Sequence, residues 1–519
     1  MDPRRPRPAA AGKARGGGEP PGSGQEAGAS RPGARQPGRG RLPGTRQGMN
    51  KDRPLSPEAA GERPGVALAG RFRLHACRIS LQPGQIPPPM PPAARRPLLA
   101  GLAALLLPGI RPAQSQAPAV PGVGQTMPPA VTVGEWRLGA LFPFTGPFAL
   151  MGDEAYRGLE MAADERNEAG GLAGRQIRLL RGDASDQTQA VSEVRRLTSG
   201  EGRVACVFGT TISALALAAS QVTEALGTPY FELGAIADAL TARGARFVFR
   251  SCPRAMEFGR LSVDAVADRL APAWKADPRA LRIAILAEDG PYGQSVAAAQ
   301  EDRLRARGIP LAVRLSFPSR TTDLGTLLGQ LRTARAEVVL HSAYPGDVVP
   351  FFRAMREARW QPRMVIGAGG AYSLSDTARS LGQEIEGVMN VDVTPFATDE
   401  AAAPGVGSFA EAYKRKYGAE PRSGHSLATY AGAAVFLEAL SRAGTAEKER
   451  LRAAVLATDL PEGKAVTGWG ALFDESGQNT RARPLLAQWQ EGRLVTVAPA
   501  PAAVGALRGS LGAARAAPP

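Results

Sequence analysis

The sequence predicts an α/β protein made of two doubly wound parallel-sheet lobes. Across residues 136–393, short apolar runs of about four to eight residues alternate with helical stretches of about ten to sixteen residues. This alternation is typical of parallel sheets whose strands are joined by right-handed helical crossovers. The apolar runs are too numerous for one sheet of ordinary size, so we expect two lobes.

The first strand, helix and strand unit spans residues 136–183. An apolar strand at 138–142 leads into a turn rich in Pro and Gly at 143–152, which precedes a helix. A run of glycines then returns the chain to a second strand at 176–182. This unit therefore opens a parallel sheet.

The later elements follow the same alternation. Strands are expected at residues 204–208, 229–233, 247–250, 282–287, 311–317, 337–341, 364–367 and 388–393. Helices are expected at residues 188–198, 213–226, 237–242, 255–270, 292–307, 323–333 and 348–358. Both sets again indicate parallel sheets covered by helices on both faces.

The formal net charge of +15 does not indicate a nucleic-acid-binding protein, because most of the surplus lies outside the predicted lobes. Residues 1–89 carry 16 Lys and Arg against 6 Asp and Glu, a surplus of 10, which leaves a surplus of 5 for residues 90–519. Net charge therefore gives no sign of a basic patch on the folded body. We expect no nucleic-acid partner.

Residues 1–89 are expected to be a disordered, low-complexity leader that results from a translation start assigned too far upstream. They are dominated by Pro, Gly, Ala and Arg and cannot bury enough apolar surface to offset the entropy of ordering. Residues 90–117 have the layout of a secretory signal peptide: Met90, the pair Arg95 and Arg96, an apolar run and a small-residue exit. The paired arginines also fit the twin-arginine route. We expect a physiological start at or near Met90 and an exported, periplasmic protein.

Cysteine and histidine supply little material for catalysis or metal binding. Cys77 lies in the leader, and Cys206 and Cys252 follow no metal-ligand spacing; we expect two buried free thiols and leave a disulfide between them open. His341 and His425 are expected to be packing or surface residues rather than general bases. Motifs for nucleotide binding or hydrolase chemistry are missing from the sequence. We therefore expect no cofactor, no metal and no enzymatic activity.

Five short motifs lie between residues 138 and 497. They are FTGPFALMG with Gly146 and Pro147, NEAGGLAGRQIRLL with the Asp183 that follows it, GTT before Ser213, EDGPYGQS with Tyr292 and Gly293, and FDESGQN. Together they resemble the Leu/Ile/Val-binding family of ABC-transporter solute-binding proteins. The resemblance covers nearly the whole chain after the signal peptide.

This resemblance implies the type I periplasmic binding fold, in which three hinge crossings join two lobes and the ligand is enclosed in the cleft between them. The crossings would lie near residues 250–253, 391–396 and 473–479. The expected domains are a first lobe of residues 131–250 and 394–475, a second lobe of residues 251–393 and 476–498, and a disordered tail of residues 499–519.

The loop at residues 209–213 is the best candidate for binding an anion. In open parallel sheets, ligands bind beyond the carboxyl ends of the strands, and this loop lies there, just before a predicted helix. The helix N-terminus and the hydroxyls of Thr211 and Ser213 offer donors to a carboxylate. The resemblance implies that Ser213 grips the ligand carboxylate, while a plain helix-capping role for Ser213 stays open. It also implies backbone contacts to the ligand from Gly234, Ala235 and Ile236.

Aromatic side chains are expected to supply the apolar part of the site. Tyr292 and Tyr344 lie at strand ends of the second lobe, where they would close over the ligand and offer flat apolar area with a hydroxyl. Phe148 and Met151 line the opening loop of the first lobe. For these two residues, packing in the core or loop is an equally good interpretation.

Two positions depart from the pattern of the family. Members that bind α-amino acids place a glutamate where this chain has Gly369, and a threonine where it has Ile236. A buried ammonium without a carboxylate partner would cost several kcal/mol. Either Glu232, Asp289 or Asp347 takes over that role, or the ligand has no ammonium. We favour a small carboxylate or amide with an apolar or aromatic body, and keep a branched-chain amino acid as the alternative.

These observations predict an exported, monomeric solute-binding protein that delivers its ligand to the membrane permease of an ABC importer. A solute-sensing regulator on the same fold is a second candidate, although the predicted signal peptide argues against a cytoplasmic sensor. An enzyme on a doubly wound fold is a third candidate, because the fold alone does not exclude it.

Overall fold

The computed structural model describes residues 134–512 of the 519-residue chain. The expected leader at residues 1–89 and the expected signal peptide at residues 90–117 lie outside the described residues. Two sheets with their flanking helices organise the described part, and we call them the first and the second lobe.

Five parallel strands form the sheet of the first lobe, in the order β2-β1-β3-β4-β5. They are β1 (Trp136–Phe142), β2 (Ile177–Asp183), β3 (Val207–Gly209), β4 (Tyr230–Glu232) and β5 (Val248–Arg250). β1 pairs with β2 over its whole length, from Trp136 opposite Ile177 to Phe142 opposite Asp183. The opening unit predicted from the sequence is therefore confirmed.

Seven strands form the sheet of the second lobe, in the order β14-β13-β10-β9-β8-β6-β7. They are β6 (Ile283–Glu288), β7 (Leu311–Phe317), β8 (Val338–Ser342), β9 (Met364–Ala368), β10 (Met389–Asp392), β13 (Leu485–Gln490) and β14 (Arg493–Ala498). The first five are parallel, whereas β13 runs antiparallel to β10 and β14 antiparallel to β13. A short ribbon of β11 (Asp459–Leu460) and β12 (Ala471–Leu472) stands apart from both sheets.

Helices cover both sheets. They are α1 (Ala149–Glu168), α2 (Gln187–Thr198), α3 (Ser213–Ala225), α4 (Ala239–Ala242), α5 (Ala255–Ala265), α6 (Ala271–Ala273), α7 (Pro291–Ala306), α8 (Leu324–Thr333), α9 (Pro345–Glu357), α10 (Ser375–Leu381), α11 (Val406–Tyr417), α12 (Gly424–Ala443) and α13 (Lys448–Leu456). A 3-10 turn at Gly146–Phe148 leads into α1, and a π-helical stretch at Val266–Leu270 joins α5 to α6. No helix among residues 134–512 is long and apolar enough to cross a bilayer.

The two faces of the first sheet bury different side chains, because successive residues of a strand point to opposite faces. The middle residues of β3, β4 and β5 are phenylalanines, and Phe231 stacks on Phe436 of α12 with ring centroids 4.3 Å apart. The preceding residues of these strands, Val207, Tyr230 and Val248, join the larger apolar cluster that includes the core of the second lobe. The lobes therefore share a continuous apolar interior.

The chain passes between the two sheets three times. It leaves the first sheet after Arg250 at the end of β5, returns after Asp392 at the end of β10, and crosses again between Gln478 and β13. Arg250 and Gln478 form a parallel bridge, so two of the crossings lie side by side. This connection matches the three hinge crossings that the fold class requires.

Two parts of the chain differ from the sequence-based expectation. The antiparallel pair β13 and β14 was not predicted, and the disordered tail expected at residues 499–519 is wrong for residues 499–512. The Arg508 N–H donates to Gln488 Oε1 at 2.8 Å, the Gly512 N–H donates to Glu386 O at 2.6 Å, and Leu511 is buried. These contacts hold the segment against the edge of the second sheet.

The cysteines and histidines among residues 134–512 are packing residues. Cys206 and Cys252 are buried free thiols, which answers the question of a disulfide that the sequence left open. His341 is buried with its Nδ1 at 2.6 Å from the Tyr372 hydroxyl, and burial lowers its pKa to about 3. Burial also lowers the pKa of His425 to about 4. Both imidazoles are therefore neutral at physiological pH.

Close packing of α1 on α12 requires a glycine at position 158, because a Cβ there would lie 2.1 Å from the Ser426 carbonyl oxygen. We expect Gly158→Ala to lower the free energy of unfolding by about 1–3 kcal/mol, since the helices must move apart. Gly329→Ala is the matched control: Gly329 is exposed in α8 with nothing within 4 Å of an added Cβ. The control should gain up to about 1 kcal/mol. Urea unfolding measures both, and equal stability of the two variants would contradict the packing.

Candidate functional site

Nine of the ten site residues predicted from the sequence lie in, or next to, the loops that follow the parallel strands of the two lobes. In the first lobe, Thr211 and Ser213 follow β3, and Gly234, Ala235 and Ile236 follow β4. In the second lobe, Tyr292 follows β6, Tyr344 follows β8 and Gly369 follows β9. Phe148 follows β1, and Met151 lies just beyond it in the first turn of α1. The carboxyl ends of parallel strands are where ligands bind in open α/β sheets.

Aromatic rings from the two lobes meet across the cleft. Phe148 of the first lobe packs edge-to-face on Tyr344 of the second lobe, with ring centroids 4.8 Å apart. Tyr344 in turn lies 5.1 Å from the ring of Tyr292, whose hydroxyl donates to Ala368 O at 2.7 Å. Burial raises the pKa of both tyrosines, so both hydroxyls stay protonated. The structure thus brings together three of the four apolar residues predicted for the site, and Met151 is buried in the same large apolar cluster.

The Glu232 carboxylate ties the two loops of the first lobe together. Its oxygens accept hydrogen bonds from five backbone N–H groups, at Thr210 (2.7 Å), Thr211 (3.0 Å), Leu233 (3.1 Å), Gly234 (2.9 Å) and Ala235 (2.7 Å). The Tyr230 hydroxyl donates a sixth at 2.8 Å. Burial raises the pKa of Glu232, and these hydrogen bonds oppose that shift. One fully buried carboxylate therefore fixes residues from both strand ends.

The Arg250 guanidinium holds the second of these loops from the other side. It is fully buried, and it donates to Ala237 O at 2.7 Å and Ala235 O at 3.3 Å. It also donates to Gln478 Oε1 at 2.6 Å and Thr241 Oγ1 at 3.1 Å. The loop after β4 is thus fastened through its N–H groups to a buried anion and through its carbonyls to a buried cation. Arg250 further links this loop to the hinge crossing at Gln478.

These bonds decide which groups of the loops can contact a ligand. The N–H groups of Gly234 and Ala235 already donate to Glu232, and so does that of Thr211, whose φ of 71° is unusual for a β-branched residue. Ser213 Oγ accepts from the Ala237 N–H at 3.2 Å. Within residues 134–512, the Ile236 N–H makes no hydrogen bond, and the first turn of α3 has N–H groups without helical partners, of which that of Ser213 faces the Tyr344 hydroxyl. These donors remain for a ligand.

Gly369 occupies a compact corner of the second lobe. Its φ is 69°, its N–H donates to Asn390 Oδ1 at 2.9 Å, and an added Cβ would lie 3.3 Å from the ring of Phe258. Asn390 Nδ2 donates to Asp392 Oδ2 at 2.9 Å. Burial raises the pKa of Asp392 to about 7. The corner that holds Gly369 is therefore backed by a buried amide and a buried carboxyl.

Of the three acids predicted as possible ammonium partners, two are engaged in hydrogen bonds and the third is exposed to solvent. Glu232 is saturated by six donors, as described above. Asp347 caps α9, accepting from the Tyr344 N–H at 3.1 Å and the Arg320 N–H at 2.5 Å. Asp289 is exposed to solvent. The sequence did not single out Glu288, a buried acid that accepts from Gly290 and Gly293 at the start of α7, although EDGP before a helix is a recognisable capping pattern.

Comparison with known proteins identifies close relatives. The model of the periplasmic binding protein family matches residues 135–493. A Leu/Ile/Val-binding protein homolog 8 from Brucella melitensis is 44% identical over 373 residues, which cover 72% of this chain and 92% of that protein. A Leu/Ile/Val-binding protein homolog 7 from Brucella suis is 45% identical over 373 residues, covering 72% of this chain and 93% of that protein.

Solved structures show the same fold. The leucine-binding protein LivK from Thermotoga maritima superposes with a TM-score of 0.61 at 20% identity, over 70% of this chain and 98% of that one. LivJ from Streptococcus pneumoniae, a branched-chain amino acid transporter substrate-binding protein in complex with isoleucine, gives a TM-score of 0.59 at 19% identity, over 70% and 98%.

Replacing Glu232 tests whether this carboxylate organises the site. In Glu232→Gln, an NH2 group must face N–H donors, so we expect the free energy of unfolding to fall by about 2–4 kcal/mol. Glu462→Gln removes the same charge at an exposed position and should change stability by no more than about 0.5 kcal/mol. Urea unfolding of both variants decides the matter: a Glu232→Gln protein as stable as the control would show that the buried carboxylate is dispensable.

Proposed function

This chain belongs to the periplasmic binding protein family, and from that membership we propose that it is an exported solute-binding protein of an ABC importer. It captures a small carboxylate, amide or amino acid in the cleft between its lobes and delivers it to a membrane permease. The contact between Phe148 and Tyr344 carries this proposal, because it brings side chains of both lobes together at the carboxyl ends of the parallel strands.

Several finer features belong to the same proposal. In this proposal the signal peptide at residues 90–117 exports the protein to the periplasm, and the pair Arg95 and Arg96 also fits the twin-arginine route. The protein acts as a monomer. It releases its solute unchanged, since its family consists of solute-binding proteins rather than enzymes. A solute-sensing regulator remains the alternative function on this fold.

The donors of the first lobe suit a carboxylate or an amide oxygen. Ser213 lies at the N-terminus of the 13-residue helix α3, where the helix dipole favours negative charge. The N–H of Ile236 and the hydroxyl of Ser213 flank this helix end. Phe148, Tyr292 and Tyr344 then surround the apolar body of the solute.

An ammonium has no evident partner in this arrangement. Glu232, Glu288 and Asp347 already accept hydrogen bonds from backbone N–H groups, and Asp289 is exposed to solvent. The resemblance to amino-acid-binding members implies a glutamate at the position of Gly369. We therefore propose a solute without an ammonium group. The similarity to Leu/Ile/Val-binding protein homologs favours the alternative, a branched-chain amino acid.

Contacts between the two lobes would favour closure over the solute. Arg422 of the first lobe pairs with both oxygens of Asp376 in the second lobe at 2.9 Å, and the Asp238 N–H donates to Ser295 Oγ at 3.3 Å. A solute that touches both lobes favours this form through its higher affinity for it. The permease would then recognise the closed protein.

Calorimetry with leucine and 4-methylpentanoate separates the two solute classes, because these ligands differ only in the ammonium group. We expect 4-methylpentanoate to bind at least as tightly as leucine, since burying an unpaired ammonium is costly. Leucine binding about tenfold or more tighter would overturn the proposed solute class and favour the branched-chain alternative. Failure of every small carboxylate, amide and amino acid to bind would count against the proposed function itself.

A Ser213→Ala variant tests the carboxylate position. Loss of a hydrogen bond to a charged group should weaken binding of a carboxylate solute about tenfold or more. Ser192→Ala, an exposed serine of α2 in the same lobe, is the matched control and should bind like the unmodified protein. Unchanged affinity in Ser213→Ala would remove Ser213 from the site and leave it a structural partner of Ala237.

A further inference from the structure

A second concave surface lies between the lobes, apart from the cleft. It is a groove of about 900 Å³ formed by α1, the segment before α12, α10 and the start of β14. None of the ten residues predicted for the solute site lines it. We name it the arginine groove after Arg157, Arg379, Arg422 and Arg493, which line it.

The charges of the arginine groove do not balance. Glu420 is the one carboxylate of the lining, and it pairs with Lys414 at 2.6 Å. Arg157 pairs with Asp153 at 2.9 Å, whereas Arg379 and Arg422 share a single partner, Asp376, at 2.7 and 2.9 Å. Within residues 134–512, the Arg493 side chain makes neither a hydrogen bond nor an ion pair. The groove therefore carries a surplus of positive charge.

The shape and chemistry of the groove suit a small multivalent anion. Its volume falls within the roughly 300–1,000 Å³ of small-molecule sites. The guanidinium group presents a planar fork of donors that matches carboxylate and phosphate geometry. A concave surface of one sign also concentrates ions of the opposite sign.

We propose that the arginine groove binds a small anion carrying two or more carboxylate or phosphate groups. Arg157 and Arg422 belong to the first lobe and Arg379 and Arg493 to the second, so the anion contacts both lobes. One negative group would offset only part of the surplus, whereas two or more can engage arginines on both sides. This site does not depend on the identity of the solute in the cleft.

Calorimetric titration of the unmodified protein with citrate and with pyrophosphate, at ionic strength held constant with sodium chloride, tests the proposal. We expect saturable binding of at least one of them, and comparison of the two distinguishes a carboxylate from a phosphate preference. In the double variant Arg379→Gln with Arg493→Gln, affinity should fall about tenfold or more, because two charge-assisted contacts are lost.

The control is a double variant, Arg332→Gln with Arg353→Gln, which removes the same charge from exposed positions of the second lobe outside the groove. It should bind the anion like the unmodified protein. Two outcomes would overturn the proposal: neither anion binds above chloride, or the two double variants lose affinity equally. The second outcome would mean that net charge, and not the groove, attracts the anion.

Discussion

The structure of the binding loops in the first lobe depends on hydrogen bonds to two buried charges of opposite sign, Glu232 and Arg250. Glu232 accepts six hydrogen bonds, five of them from backbone N–H groups. Arg250 donates hydrogen bonds to carbonyl, amide and hydroxyl oxygens. Each charge is thereby compensated by dipoles of the loops it holds, which is how a protein tolerates an ion removed from water. The loops after β3 and β4 are consequently fixed before any ligand arrives. Preorganised donors of this kind bind a ligand without a further ordering cost.

This constraint also shapes the chemistry left for a solute. The N–H groups of Gly234 and Ala235 donate to Glu232. Polar contacts to a solute are therefore left to Ile236, to Ser213 and to the start of α3. The facing lobe contributes aromatic rings, while its Asp347 is engaged in hydrogen bonds and its Asp289 is exposed to solvent. Arg250 joins the same loop to Gln478 at a hinge crossing, so the solute loop and the hinge share one buried side chain. The cleft and the hinge are in this way physically connected.

The sequence predicted the fold well because the signal is local: apolar runs of strand length alternate with helical stretches, and that pattern leaves few alternatives to parallel sheets. The antiparallel pair β13 and β14 was not predicted because its strands mix polar and apolar residues. The ordered segment at residues 499–512 was not predicted because it is rich in Ala, Gly and Pro and shows no helical or strand periodicity. At the site, Glu232 looked like a ligand partner in the sequence YFELGA. Only the three-dimensional arrangement shows that its carboxylate turns inwards to backbone donors of its own loop and of Thr210 and Thr211, 22 and 21 residues earlier in the chain. Periodicity cannot reveal such a bond.

The central claim is that a solute binds between the lobes through the donors that Glu232 leaves unused. The most direct measurement is a crystal structure of the protein with the tightest-binding solute from a screen of small carboxylates, amides and amino acids. We predict that its carboxylate or amide oxygen lies within hydrogen-bonding distance of Ser213 and the Ile236 N–H, with its apolar body between Phe148 and Tyr344. A solute bound outside the cleft, or an ammonium group held by Glu232, would contradict the account.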